Sequence, residues 1–314
     1  MTLPHPLALI TAPHGHRLSD HEAGLYRSLP PFGFILFARN IQTPWQVKAL
    51  CSDLRGATGN ANTPIFIDQE GGTVQRLRPP HWPEYQSADF FDKAYRHDPQ
   101  QAMKMVVQQT RKIARDLAHL GITANCAPVC DLHTPQTHPF LARRCYGKTA
   151  EQVIDLAGSV ADQLMNQGII PVIKHIPGHG RGTVDSHKAL PVTDASCAWL
   201  MQHDFRIFKA LAHIPFAMTA HMVYRCIDPI RPATCSPDCI GFIRNELGFR
   251  GVLLSDDLSM QALTGSLTQR FTRALAAGCD LGLYCAGDLD DSKALLQIAP
   301  RLSPSAMAAW QRTA

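Results

Sequence analysis

Eight short apolar segments recur along the chain, and they restrict its possible folds more than any other feature. Each has about four to eight core residues and ends at a polar or glycine-rich turn. They cover residues 7–12, 33–38, 64–68, 122–131, 169–175, 215–221, 251–256 and 281–286. Their hydrophobicity is nearly continuous rather than alternating, which is typical of parallel strands covered on both faces. The pattern therefore predicts eight buried parallel strands.

Segments with helical spacing lie between these runs. Two of them open with a capping residue followed by a proline, at Thr43 and Asp98. Their ends are marked by glycine or proline, at Gly121, Gly168, Gly278 and Pro300. The alternation predicts an α/β fold, a (β/α)8 TIM barrel that forms a single domain over residues 1–314. No GxGxxG follows the first strand and no Walker A motif occurs, so nucleotide-binding sheets lose their main support.

The net charge and the hydropathy of the chain limit the classes of partner that we expect it to bind. The net charge is +4 over 314 residues and no long Lys/Arg run occurs, so we expect no nucleic-acid partner. No apolar stretch approaches the roughly 18 residues that a membrane span needs. The N-terminal segment lacks a basic leader, and its apolar run is too short for a signal peptide. We expect a cytoplasmic protein that does not enter a membrane.

Ten cysteines are scattered along the chain without a CxxC pair. Several lie inside apolar runs that resemble strands. Disulfide frameworks are typical of small secreted domains, and we expect this chain to be neither small nor secreted. We expect free, buried thiols.

Polar residues follow the apolar runs at the points where a barrel places its active site. Barrel active sites lie at the carboxyl ends of the strands. The residues at these points are Arg39, Asn40, Asp68, Glu70, Asp131, Lys174, His175, His221, Asp256 and Asp257. Their agreement across separate strands predicts a site at this end of the barrel.

Asp256 follows the seventh apolar run, so its carboxylate should project near the barrel mouth. A carboxylate there can be a nucleophile, a general base, a metal ligand or a helix cap. Its neighbour Asp257 could cap a helix that begins around Ser259. Position alone leaves these alternatives open.

Residues 174–191 concentrate histidine, glycine and charge directly after the fifth apolar run. His175 and His179 are four apart, as helical metal ligands would be, but the proline and glycines between and beside them disfavour a helix. We therefore predict no metal site and no cofactor. Asp185 and His187 form an Asp-Ser-His sequence in which the carboxylate can orient the imidazole and stabilise its cation, as a general acid/base requires. The alternative is a surface turn.

Two further segments carry candidate binding residues. Asp68 and Arg76 flank a glycine pair in residues 67–77, and Arg144 lies in residues 140–147. A carboxylate and guanidinium groups at a barrel mouth suit hydroxyl-rich substrates, although a structural ion pair is the alternative. The combination is typical of glycoside hydrolysis. Such enzymes usually use two carboxylates, and here a histidine would replace one of them.

At this point the motifs resemble those of bacterial β-N-acetylhexosaminidases of glycoside hydrolase family 3. The matching segments are KHIPGHG followed by DSH, and in chain order FILFARNI, IDQEGGTVQRL, APVCDL, MTAHMVY, PATCS, GFRGVLLSDDLSM and AAGCDLGLYC. Together they extend from about residue 30 to residue 286. Departures from the family pattern are Thr73 in place of Arg, and Ala142 and Arg143 in place of Gly and Asp. We assign no role to Arg181, which lies within the loop that bears the Asp-Ser-His sequence.

The resemblance implies a retaining mechanism on N-acetyl-β-D-glucosaminides. It makes Asp256 the nucleophile, His187 the acid/base and Asp185 the partner of that histidine. It assigns sugar contacts to Asp68, Arg76, Arg144, Lys174 and His175. The implied substrates are small saccharides, either muropeptides of cell-wall recycling or chitobiose-like sugars, and we expect a monomer. We further expect the loop to close over bound sugar, with Gly178, Gly180 and Gly182 permitting the motion.

Three alternatives remain open at this stage. A family 3 β-glucosidase would use a carboxylate acid/base, commonly from a second domain, and we identify no segment for one. A β-N-acetylglucosaminide phosphorylase is consistent with the histidine, because a carboxylate would repel phosphate more strongly. A sugar-binding barrel without activity is the third alternative, although binding alone would not need Asp256 and His187 together.

Overall fold

Each of the eight apolar runs forms one strand of a closed parallel barrel. The structure is a computed structural model that describes residues 5–184 and 189–312. The barrel strands are β1 (Leu7–Thr11), β2 (Pro31–Leu36), β3 (Ile65–Ile67), β4 (Ala124–Asn125), β5 (Ile170–Ile176), β6 (Phe216–Thr219), β7 (Val252–Asp257) and β8 (Leu281–Tyr284). Each strand pairs with its neighbours in chain order, and β8 pairs with β1 to close the ring. The predicted TIM barrel is confirmed.

Helices surround the barrel. They are α1 (Asp20–Ser28), α2 (Pro44–Thr58), α3 (Ala88–His97), α4 (Pro99–Leu120), α5 (Pro139–Ala142), α6 (Ala150–Met165), α7 (Cys197–Gln202), α8 (Asp204–Ala210), α9 (Pro237–Asn245), α10 (Leu267–Ala277), α11 (Leu289–Ile298) and α12 (Pro304–Gln311). The predicted caps at Thr43 and Asp98 are confirmed, since each side chain accepts a hydrogen bond from a backbone N–H in the first helical turn. Gly121 ends α4 in the left-handed conformation that glycine adopts readily.

Short elements above the strands shape the barrel mouth. An antiparallel hairpin joins Gln69–Gly71 to Val74–Gln75 directly after β3. A two-residue parallel pair joins Val192–Thr193 to Val223–Tyr224. Two 3-10 turns lie at Ala38–Asn40 and Ala233–Cys235. The hairpin carries Glu70, and the second 3-10 turn carries Thr234, both of which contact site residues described below.

The opposite end of the barrel is closed by the last helix. Trp310 of α12 packs edge-on against Phe32, 5.3 Å between ring centroids, and against Phe216 at 5.9 Å. Both phenylalanines lie at the amino ends of their strands, so α12 covers the bottom of the barrel core. The helix predicted to meet Pro300 was the last one expected from the sequence, so α12 was not predicted.

Two other expectations are wrong. No helix begins around Ser259, because residues 258–263 form turns and α10 starts at Leu267, capped by Ser266. Two of the cysteines are not free, because Cys197 and Cys226 form a disulfide between α7 and the segment after Tyr224. The other eight are buried thiols, as expected. Within residues 5–184 and 189–312, no helix is both long and apolar enough to cross a membrane.

Candidate active site

A pocket opens at the carboxyl ends of the barrel strands, where the sequence placed the site. Its charged and imidazole lining consists of Asp68, Arg76, Arg144, Lys174, His138, His175, His179, Asp256 and Asp257. Phe37, Phe140, Val184 and Met260 supply part of its apolar wall. Six of the eight predicted site residues therefore meet in one pocket. The other two, Asp185 and His187, lie outside the described residues.

Five side chains form a continuous network of ion pairs on one wall of the pocket. Lys174 Nζ lies 2.9 Å from Asp68 Oδ1 and 2.7 Å from Glu70 Oε1. Arg76 donates to Asp68 Oδ2 at 3.0 Å. Arg144 donates to both oxygens of Glu70, each at 2.9 Å. The hairpin after β3 carries Glu70 and leads into Arg76, so its tight turn brings Glu70 to the Lys174 ammonium of β5 and Arg76 to Asp68.

Burial and ion pairing shift the pKa values of this network in opposite directions. Burial alone would raise the pKa of Asp68, but Lys174 and Arg76 outweigh it and hold the pKa well below its usual range. The pKa of Glu70 is lowered in the same way by Arg144 and Lys174. Burial alone would lower the pKa of Lys174, and the two carboxylates raise it instead. All these groups are therefore charged near neutral pH and present fixed charges to a ligand.

Asp131 organises the histidine side of the pocket. Its Oδ2 accepts from His175 Nδ1 at 2.7 Å, which leaves Nε2 of that ring free of this bond. Its Oδ1 accepts from the backbone N–H groups of His175 at 3.2 Å and His179 at 2.6 Å. Asp131 is completely buried; burial raises its pKa, but His175 outweighs this and the net pKa is lowered. One carboxylate thus fixes both the ring of His175 and the turn after β5.

His179 is buried without a partner for its ring. Neither ring nitrogen has a hydrogen-bond partner in the described part of the chain. The ring packs edge-on against His175, with 5.6 Å between centroids. Burial and the neighbouring His175 lower the pKa of His179 to about 4, so it is neutral at pH 7.

Asp256 lies at the end of β7 and lines the pocket. Its Oδ1 accepts from the backbone N–H of Asp257 at 2.8 Å. Burial alone would raise its pKa, but His175 and His221, together with this hydrogen bond and Lys174, lower it below the ordinary value. The structure therefore holds Asp256 as an anion in the pocket.

Asp257 has different surroundings. Its Oδ1 accepts from the backbone N–H groups of Ser259 at 3.0 Å and Cys285 at 3.1 Å, and its Oδ2 accepts from the Ser259 hydroxyl at 2.6 Å. Burial raises its pKa. Asp257 thus ties the turn after β7 to the end of β8, a structural task related to the capping role that the sequence suggested.

His221 supports the loop that carries the two aspartates. Its Nε2 donates to the backbone oxygen of Asp257 at 3.0 Å, and its Nδ1 lies 2.7 Å from the Thr234 hydroxyl. Burial lowers the pKa of His221. Glu70, Asp131 and His221 received no role from the sequence, although each follows a barrel strand. The signal in the sequence was that each of these residues lies at or just after the end of an apolar run.

Three glycines after β5 are required by close contacts. A Cβ on Gly180 would lie 1.9 Å from the backbone oxygen of Leu132, and one on Gly182 would lie 2.9 Å from the His179 ring. Gly178 has a φ of 140° and packs against Asp204. These contacts give the glycines a packing role, and their expected role in loop motion stays a prediction. The expected loop closure involves residues outside the described part of the chain.

The departures noted in the sequence lie at the edge of the site. Thr73 occupies the exposed turn of the hairpin, where its backbone oxygen accepts from Arg78 at 3.2 Å. Arg143 is exposed, whereas the adjacent Arg144 turns inward to Glu70. Neither substitution therefore disturbs the ion-pair network. Among the residues that the structure describes, no group of three His, Cys, Asp or Glu side chains is arranged to hold a metal ion.

Comparisons with known proteins match this architecture. The glycosyl hydrolase family 3 N terminal domain matches residues 29–312. A β-hexosaminidase of Alkalilimnicola ehrlichii is 37% identical over 276 residues, which cover 86% of this chain and 78% of that protein.

Solved structures give the same result. NagZ from Neisseria gonorrhoeae in complex with N-trifluoroacetyl-D-glucosamine aligns with a TM-score of 0.88 and 28% identity, covering 99% of this chain and 91% of the other. A family 3 β-N-acetylglucosaminidase from Paenibacillus sp. str. FPU-7 aligns with a TM-score of 0.84 and 28% identity. That alignment covers 97% of this chain but 57% of the Paenibacillus chain, so this chain spans little more than half of that protein. On the match of the family domain to nearly the whole barrel, the chain belongs to glycosyl hydrolase family 3.

Proposed function

We propose that the protein is a retaining β-N-acetylhexosaminidase that releases terminal, non-reducing N-acetyl-β-D-glucosamine. The observation that carries the proposal is an ionised Asp256 at the end of β7, inside a pocket whose lining also holds the paired charges of Asp68, Arg76, Arg144 and Lys174. The names of the relatives, β-hexosaminidase and β-N-acetylglucosaminidase, support the choice of sugar. A bound glucosamine derivative in the Neisseria structure supports it as well.

In the first half of the proposed reaction, a carboxylate oxygen of Asp256 attacks the anomeric carbon. The bond from that carbon to the glycosidic oxygen breaks, and the departing oxygen takes a proton from the His187 imidazolium. A covalent glycosyl ester on Asp256 results. A lowered pKa favours this role, because the attacking oxygen must be unprotonated.

In the second half, the now neutral His187 removes a proton from water, whose oxygen attacks the anomeric carbon and releases Asp256. Two displacements at one carbon retain its configuration. Asp185 would orient the imidazole and stabilise its cation. The assignment of both residues comes from their match to the family motif.

The ion-pair network is the proposed binding surface for the sugar. Asp68 can accept hydrogen bonds from sugar hydroxyls, while Arg76, Arg144 and Lys174 can donate to them. His175 offers Nε2, because Nδ1 is held by a carboxylate. The network holds two carboxylates and three cations, so most of its charge is already balanced before a neutral sugar binds.

We further propose that the physiological substrate is a muropeptide bearing N-acetylglucosamine on 1,6-anhydro-N-acetylmuramic acid, processed in the cytoplasm during cell-wall recycling. We propose that residues 1–314 act as one domain and as a monomer. These proposals rest on the motif resemblance.

A trapping experiment tests the covalent step. The protein is incubated with a 5-fluoro glycoside of N-acetylglucosamine and digested, and the labelled peptide is located by mass spectrometry. We expect the label on Asp256 and none on Asp257. A label elsewhere, or none on a protein that turns over substrate, would refute the proposed nucleophile.

A second experiment separates the alternatives. Aryl β-N-acetylglucosaminide and aryl β-glucoside are compared with and without inorganic phosphate, using the wild type and Asp256→Asn. We expect activity on the first substrate alone, no glycosyl phosphate, and loss of turnover in the variant. Preference for the glucoside would indicate a β-glucosidase, and glycosyl phosphate would indicate a phosphorylase.

A further inference from the structure

Arg181, which received no role from the sequence, is held firmly on the outer side of the segment after β5. Its Nε donates to Asp204 Oδ2 at 3.0 Å. Its guanidinium lies 3.7 Å above the centre of the Trp199 ring. Trp199 in turn stacks on His203, with ring centroids 3.5 Å apart and planes within 3°. The arginine thus docks on the corner where α7 meets α8.

Asp204 depends on this arginine. The residue is completely buried, and its Oδ1 has no hydrogen-bond partner in the described part of the chain. Burial raises the pKa of Asp204, and Arg181 acts in the opposite direction. A buried carboxylate is stable only with a partner, so the corner is built to receive a cation from this segment.

Contacts from other parts of the barrel mouth fix the same short segment. Tyr224 donates its hydroxyl to the backbone oxygen of Gly178 at 2.8 Å. Thr137 donates to the backbone oxygen of Gly180 at 2.5 Å, and the backbone N–H of His138 donates to that of Gly182 at 3.1 Å. Residues 178–182 are therefore anchored on both sides.

We propose that Arg181 is a positioning residue for the acid/base step, an inference that rests on the proposed function. Asp185 follows it by four residues and His187 by six. Four residues span at most about 14 Å, so the anchor sets where the segment bearing both residues begins. We therefore expect loss of the anchor to slow the acid/base step, because small displacements of catalytic groups reduce rates strongly.

The test uses the leaving group as its readout. Protonation by the acid matters most when the leaving group is a poor one, and kcat/KM reports the steps up to cleavage of the glycosidic bond. We expect Arg181→Ala to lower kcat/KM for an alkyl β-N-acetylglucosaminide by roughly 10–100-fold, since general acid catalysis contributes about 10²–10⁴-fold. For the 2,4-dinitrophenyl glycoside we expect a loss below about 3-fold, because that leaving group needs little protonation.

Two further variants separate charge from stacking. Arg181→Lys keeps the charge beside Asp204 but loses the planar stack on Trp199. Its kcat/KM for the alkyl glycoside should therefore lie between those of wild type and Arg181→Ala. Trp199→Leu removes the stack without leaving Asp204 unpaired. It should produce the same leaving-group dependence even if Arg181→Ala fails to fold.

The matched control is Arg206→Ala. Arg206 lies on α8 and pairs with Glu151 on the surface, where both side chains are at least half exposed. We expect both substrates to be hydrolysed as by wild type. Equal losses on both substrates in Arg181→Ala and Trp199→Leu, or no loss in either, would overturn the inference.

His187→Ala distinguishes this failure from that of the proposed function. If His187→Ala shows the leaving-group dependence and the anchor variants do not, only the role of Arg181 is wrong. If His187→Ala itself lacks that dependence, the proposed acid/base assignment is wrong.

Discussion

The buried ring of His179 should make the stability of the protein depend on pH in a measurable way. The pKa falls from an ordinary 6.5 to about 4, chiefly because burial penalises the charged ring. Besides burial, the neighbouring His175 opposes protonation of His179, whereas Asp131, Asp256 and a backbone hydrogen bond of His179 favour the cation. The residue is 6% exposed, so solvent screens these effects little.

The sign follows from proton counting. Between pH 6.5 and pH 4 the unfolded chain holds a proton on His179 and the folded chain does not. Lowering the pH therefore favours unfolding, and the contribution present above pH 6.5 disappears progressively toward pH 4. Each unit of pKa difference corresponds to about 1.4 kcal/mol, so the loss between pH 7.5 and pH 5.0 is about 2 kcal/mol.

The perturbation is His179→Phe, which keeps a flat ring and removes the titrating group. Urea unfolding at pH 7.5 and at pH 5.0 gives the free energy of unfolding for wild type and variant. We expect wild type to lose about 2 kcal/mol more than the variant over this interval. A change in packing shifts both values of the variant equally and leaves this difference intact.

Equal losses in the two proteins would refute the reasoning. They would mean that the ring accepts a proton in the folded state about as readily as in the unfolded chain. At pH 7.5 the variant should be no less stable than expected from packing alone, because it removes two buried ring nitrogens that have no hydrogen-bond partner among the described residues.

The remaining predictions concern the pocket. Glu70→Gln removes the negative charge that pairs with Arg144 and Lys174, so it should destabilise the protein by about 3 kcal/mol in thermal or urea unfolding. We also expect a raised KM. An unchanged KM would argue against a binding role for the network. Asp131→Asn weakens the hydrogen bond that orients the His175 ring and should lower kcat/KM by roughly 10-fold or more. Circular dichroism would check that the fold is unchanged. Unchanged kinetics would contradict the orienting role of Asp131. Gly180→Ala should reduce expression or stability severely, because its Cβ would overlap a backbone oxygen. Gly241→Ala on α9 has open space around it and should raise the free energy of unfolding by up to about 1 kcal/mol. Equal effects of the two variants would refute the packing argument.

The sequence predicted the barrel because each strand carries its own signal. The runs around Ile35, Val172 and Leu254 are buried on both sides, so their hydrophobicity is continuous. Helix starts such as Thr43 are equally local, since the capping hydrogen bond spans only three residues. The last helix was missed although its start carries the same local signals, a capping Ser303 followed by Pro304.

The site was predictable in position but only partly in its contacts. The strand-end rule brought Asp68, Lys174 and Asp256 together without knowledge of their partners. The pairing of Glu70 with Arg144 joins residues 74 apart, and that of Asp131 with His175 joins residues 44 apart. Such pairs depend on how the hairpin after β3 and the turn after β5 fold over the mouth, which no local pattern specifies.

The contacts of the described carboxylates also bear on the identity of the general acid. Asp68 and Glu70 are paired with lysine and arginine, and their pKa values are lowered, so neither holds a proton near neutral pH. Asp131 is fully buried against a histidine. Asp257 has a raised pKa, but both of its oxygens are engaged by hydrogen bonds that hold the turn after β7. No carboxyl group lining the described pocket is therefore both protonated and available to a glycosidic oxygen, and this supports a histidine acid supplied by the segment that bears His187.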